Sequence, residues 1–73
     1  MASWQYEFVG DAGVAKKAFA QSVPPDYKVL RESDLDVAYA KYDEHDSFYL
    51  TFILGRTEPH STEVMLVLKS IPD

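Results

Sequence analysis

Three β-rich runs, Val37 to Tyr42, Phe48 to Leu54 and Val64 to Ile71, carry apolar side chains at both odd and even positions. A strand with one wet face alternates apolar and polar residues, so apolar residues on both faces require cover on both faces. One helical segment is all the rest of the chain offers for that cover, and a single helix shields one side of a sheet. A second flank is therefore expected to be left for another copy of the chain or for a partner.

The pairing of the first two runs follows from what joins them. Asp43-Glu44-His45-Asp46 is suited to a tight hairpin turn led by Asp43. With Tyr42 facing Ser47, Lys41 opposes Phe48, Tyr39 opposes Leu50 and Val37 opposes Phe52. One sheet face then carries Val37, Tyr39, Phe48, Leu50, Phe52 and Leu54. The other carries Ala38, Ala40, Tyr42, Tyr49, Thr51 and Ile53. The last run divides in the same way, Val64, Leu66 and Leu68 against Met65, Val67, Lys69 and Ile71. The stretch from Gly55 to Thr62, with Pro59 inside it, reads as an eight-residue loop.

Upstream, Ser3 to Val9 alternates, with Trp4, Tyr6 and Phe8 on one side and Gln5 and Glu7 on the other. Gly10-Asp11 ends that strand, and Asp11 is placed to cap a helix running to about Val23. Val14, Ala18, Phe19 and Val23 mark its apolar stripe, with Lys16, Lys17 and Gln21 away from it. Pro24-Pro25 stops the helix, because neither ring can donate the next hydrogen bond. Tyr27, Val29 and Leu30 predict a short strand, and Glu32-Ser33-Asp34 a turn. The expected fold is α+β. It is a mainly antiparallel sheet of four or five strands in the order β-α-(β)-β-β-β, with one helix packed on one face.

At 73 residues the chain has room for one domain, 1–73, and a small core. No cysteine is present to staple it, which fits a reducing compartment and a cytoplasmic location. The apolar fraction of 47%, with five tyrosines, four phenylalanines and a tryptophan, is too high for a disordered chain. Residues Met1 to Val9 lack the basic start and apolar core of a signal peptide. The longest apolar run, Phe48 to Leu54, is too short to cross a bilayer.

The formal charge of −5 arises within one segment. Glu32, Asp34, Asp36, Asp43, Glu44 and Asp46 stand there against Lys41 alone, while six acids and six bases balance elsewhere. Such a polarised chain repels phosphate backbones and anionic membranes, so direct nucleic-acid binding and membrane binding are not expected. It suits a protein partner with a basic surface.

Catalytic and metal chemistry find little support. His45 and His60 fall at opposite ends of the central strand, too far apart for a shared metal or a shared centre. No serine sits in a nucleophile-elbow context, and the carboxylates of the 43–46 turn have no apolar pocket to raise a pKa. Gly10-Asp11-Ala12-Gly13 lacks the glycine spacing and the lysine of a phosphate loop, and Asp11 would oppose the phosphate. No enzyme activity, metal or cofactor is expected.

The expected function is that of a small acidic cytoplasmic protein-binding module, an inhibitor or adaptor, acting as a homodimer. Glu32, Asp34, Asp36, Tyr42, Asp43, Glu44 and Asp46 are its candidate partner-binding residues. Tyr49, Ile53, Met65 and Val67 are the candidate dimer or partner face. The alternative is an accessory subunit or small-ligand module with an aromatic pocket under Trp4, Tyr6 and Phe8.

Overall fold

The alternating segment at the start of the chain forms β1 (Ala2–Val9), and the capped segment after it forms α1 (Ala12–Ser22). Four strands follow: β2 (Lys28–Glu32), β3 (Asp36–Tyr42), β4 (Asp46–Glu58) and β5 (Ser61–Pro72). This computed structural model describes residues 1–72. The strands make one five-stranded antiparallel sheet in the order β1-β5-β4-β3-β2, with α1 on one face. The fold is α+β.

Since every neighbouring pair is antiparallel, β1 and β2 run in the same direction along opposite edges of the sheet. The helix is the connection between them, so it lies across the strands. Its 11 residues span about 16 Å, close to the ~19 Å between the edges of a five-stranded sheet. Phe8 packs against the core beside the start of the helix, whereas Trp4 and Tyr6, on the same side of this edge strand, remain 51% and 42% exposed although Phe52 and Val37, in the row of Trp4, are buried.

Asp11 caps the helix, its Oδ1 accepting from the Val14 amide at 2.9 Å. The Val23 amide closes the other end by donating to the Phe19 carbonyl at 3.0 Å, just before the prolines. The buried stripe is Ala12, Ala15, Phe19 and Val23, which corrects the stripe expected from hydropathy. Val14 points outward and is 52% exposed. Hydropathy ranks valine above alanine, but Ala15, with no exposed surface, lets the helix backbone approach the sheet closely enough for Phe19 to stack on Phe52. Their ring centroids are 4.1 Å apart and nearly parallel, at 12°. Tyr39 meets the same Phe52 ring edge-on, and Val37, Leu54 and Val64 complete the core.

The β3–β4 register is the one implied by the turn, with Tyr42 opposite Ser47 and Val37 opposite Phe52. The expected loop at 55–62 is a correction of another kind. Both strands continue through it, and Pro59 and His60 form the turn. A register shift between Leu54 and Thr57 absorbs the irregularity at Gly55. Two threonines favour extension here: Thr57 pairs with Thr62, and their hydroxyls lie 3.1 Å apart. The Thr62 hydroxyl also donates to the Gly10 carbonyl at 2.9 Å, and the Gly10 amide donates to the His60 carbonyl at 2.9 Å. The hairpin end is thus tied to the β1–α1 joint, where glycine is required. Gly10 has φ 144°, and a Cβ there would meet Phe8 Cε1 at 2.8 Å.

Candidate functional site

The acidic segment is continuous in sequence but divided in space. Glu32, Asp34 and Asp36 lie at the β2–β3 turn, and Asp43, Glu44 and Asp46 at the β3–β4 turn, with β3 between them. The seven residues of β3 separate the two turns by about 20 Å.

Both turns are closed in the same way. The Ser33 amide donates to the Asp36 carbonyl and the Asp43 amide to the Asp46 carbonyl, each at 2.8 Å. In the first turn Ser33 Oγ also donates to Asp36 Oδ1 at 2.6 Å, and Arg31 reaches Asp36 Oδ2 at 2.7 Å. The Ser33 hydroxyl, and after it the Arg31 charge, hold the Asp36 carboxyl below the usual carboxylate range. Lys16 anchors this turn to the helix by donating to the Ser33 carbonyl at 2.5 Å. Asp36 is therefore partly neutralised by its neighbours, while the other five carboxylates of the segment, Glu32, Asp34, Asp43, Glu44 and Asp46, make no ion pair among the described residues. Tyr42, 66% exposed, stands beside the second turn and meets Tyr49 edge-on at 6.4 Å.

The four residues proposed for a contact face share the side of the sheet away from the helix. Ile53 lies opposite Met65 and Thr51 opposite Val67 on neighbouring strands, with Tyr49 opposite Lys69 one step further along. Ile53 and Ile71, also on this side, are 39% and 41% exposed. Ala38 and Ala40 are small and buried under their neighbours, which leaves the surface hollow on the β3 side. This face is an apolar surface that the helix does not reach, with Tyr49, Thr51, Met65 and Val67 half-buried and Ile53 exposed.

Two concavities lie on it, one at each side of the Ile53–Met65 and Thr51–Val67 pairs. The first, about 500 Å³, is lined by Gln5, Glu7, Gly55, Glu63 and Met65 among others. The second, about 270 Å³, is lined by Arg31, Ala38, Tyr49, Lys69 and Ile71 among others. Glu7 pairs directly with Glu63 across β1 and β5, and no hydrogen bond or ion pair to a cation relieves that like-charge contact among the described residues. The backbone amide of Arg56 approaches Glu63 Oε2 at 3.4 Å. Glu7 and Glu63 thus lie toward one end of the open face, and Lys69 and Arg31 toward the other, short of the acidic Asp43–Asp46 turn.

Sequence reasoning placed Glu7 on the side away from Trp4, Tyr6 and Phe8 but did not bring it to Glu63. The partnership depends on β1 joining β5 at the far end of the chain, and no local pattern reports that. Of the three aromatics considered for a pocket, Tyr6 lines the first concavity together with Val64, and Trp4 and Phe8 line neither concavity.

His45 and His60 sit in the turns at the two ends of β4, separated by its 13-residue length. No group of three or more metal-capable side chains gathers among the described residues. No helix among them is long and apolar enough to cross a membrane. Comparison of the chain with known family models, with curated proteins and with solved structures yields no match.

Proposed function

We propose that the protein is a small, non-catalytic protein-binding module of the cytoplasm, acting as an inhibitor or adaptor. It makes contact through the sheet face opposite the helix, and its acidic turns favour a protein surface that carries basic groups. The observation that carries this reading is the open apolar face built from Tyr49, Thr51, Ile53, Met65 and Val67. A surface of this kind costs solubility when bare and gains free energy when covered, at about 25 cal/mol per Å² of apolar area.

The divided charge refines the partner's geometry. Carboxylates about 20 Å apart at the two ends of β3 suit a surface with two basic regions, or one long one, rather than a single basic pocket. Tyr42 beside the lower turn supplies an aromatic anchor of the type common at interface centres. Direct binding of nucleic acid is disfavoured by the same carboxylates.

Capture from lysate at low and high salt, compared across variants, tests the reading. The Ile53→Asp and Met65→Asp protein should lose its partner at every salt concentration. Reversal of Asp43, Glu44 and Asp46 to lysine should weaken capture mainly at low salt, where the charges are least screened. Undiminished capture by both variants, with folding verified by circular dichroism, would remove the proposal.

A further inference from the structure

The open face is complementary to itself. Its acidic concavity, with Glu7 and Glu63, and its basic concavity, with Arg31 and Lys69, lie on opposite sides of one apolar centre. Along β5 alone, Glu63 and Lys69 bracket Met65 and Val67, all on the same side of the strand. Glu63 and Lys69 are about 20 Å apart at ~3.3 Å per residue, with Leu66 at the midpoint. We infer that this face is covered by a second copy of the chain, related by a two-fold axis that passes between Met65 and Val67 and lies across the strands. The inference rests on the reading of this face as a protein-contact surface and names its occupant, which leaves the acidic turns at the two ends of β3 to meet a basic partner.

A two-fold interface brings one patch against itself, so residue i meets j and j meets i. An axis at the level of Leu66 sets Met65 of one copy on Val67 of the other, and Ile53 on Thr51. The same operation carries Glu63 of each copy over Lys69 of its partner, twice, with Glu7 one strand to the side. The Glu7–Glu63 contact, left unrelieved in the single chain, then gains a cation. The first concavity has room for the lysine side chain at about 500 Å³. Arg31 is already engaged with Asp36, whereas Lys69 lies on the same strand as Glu63 and makes no ion pair within the described residues, so it is placed to cross.

Size agrees with this occupant. The molecule measures 42 × 21 × 18 Å, so the broad side offers a footprint of the order of the ~800 Å² per partner that a stable interface buries. Two sheets packed face to face lie about 10 Å apart, a distance that side chains of Met65, Ile53 and Tyr49 size fill from both sides. A partner of different sequence would need its own acid-and-base pattern in matching order. A second copy has it by symmetry.

Sedimentation equilibrium of the purified 73-residue chain over a wide concentration range tests the inference. The wild-type protein should sediment as a dimer. E63K and K69E should each weaken dimerisation roughly tenfold or more, because each sets like charges opposite each other at two places. An equimolar mixture of E63K and K69E should recover dimers, because both contacts of the mixed pair are then oppositely charged. The doubly swapped E63K/K69E chain should dimerise alone. A merely destabilised fold cannot produce rescue on mixing, and circular dichroism melts check each variant.

A wild-type monomer at high concentration overturns the inference. So does a dimer indifferent to both reversals, for instance one formed through the edge of β1. If that monomer still captures a protein through Ile53 and Met65, the contact-surface reading stands and only the second copy is lost.

Discussion

Phe19 shows how much of this small core depends on single side chains. It is almost fully buried, stacks on Phe52 at 4.1 Å and meets Phe8 edge-on at 6.4 Å. Phe19→Ala removes the main contact between helix and sheet, a loss of about 3–5 kcal/mol for a buried phenylalanine. That approaches the whole stability of a chain this size, so urea denaturation should find the variant largely unfolded at room temperature. Asp36 makes a different prediction. Its carboxyl is held below the usual range, first by the Ser33 hydroxyl and then by Arg31. A depressed folded-state pKa contributes stability that is present above the unfolded value, about 3.9, and is lost as pH falls through the folded value. Thermal midpoints should therefore drop more steeply below about pH 4 in the wild type than in Asp36→Asn, whose side chain does not titrate.

At the scale of elements, the joint between β1 and α1 carries more constraint than its two residues, Gly10 and Asp11, suggest. Gly10 accepts from Thr62, donates to His60 and adopts φ 144° with Phe8 and Val14 against the place where a Cβ would be. Gly10→Ala should cost about 1–3 kcal/mol from backbone strain alone, read as a fall in the thermal midpoint. The turn expected at Glu32-Ser33-Asp34 closes between Ser33 and Asp36, with Glu32 ending β2, and the β3–β4 turn was legible beforehand because its closing residues, Asp43 and Asp46, are near neighbours. The long β4–β5 hairpin was not. Gly55 and Pro59 read as loop signals, yet they mark a bulge and a turn, since the Thr57–Thr62 pair and the tie to Gly10 extend the ladder past them. Turn-forming residues show where a chain is able to bend, and cross-strand pairing decides where it does.

For the molecule as a whole, the sheet order joins the ends of the chain. Ala2 lies opposite Leu68, and β4–β5 is the spine on which both flanking pairs are built. So non-local an arrangement imposes a large loop-closure entropy before β1 can dock. Refolding followed by tryptophan fluorescence should fall on the order of milliseconds to seconds, in the range of sheet-dominated domains. Trp4, on the edge strand that pairs with the far end of the chain, is the natural probe, and microsecond refolding would contradict this picture. The same order sets the surface chemistry. It brings Glu7 beside Glu63 at one end of the open face, and it leaves Lys69 and Arg31 at the other.

What could be read from the amino acids alone was whatever depends on near neighbours. That covers the alternation of β1, the Asp11 cap, the proline stop, the register across Asp43–Asp46, and the two-sided apolar pattern that forecast an open flank. Tertiary structure decided the rest, because the rest depends on residues far apart in the chain. The helix turned Ala15 rather than Val14 inward, since close approach to the sheet outweighs side-chain hydropathy. The acidic segment parted to opposite ends of β3, since a strand separates its two turns by its own length. The acid and base poles of the open face came together only through the β1–β5 pairing, which no stretch of neighbouring residues encodes.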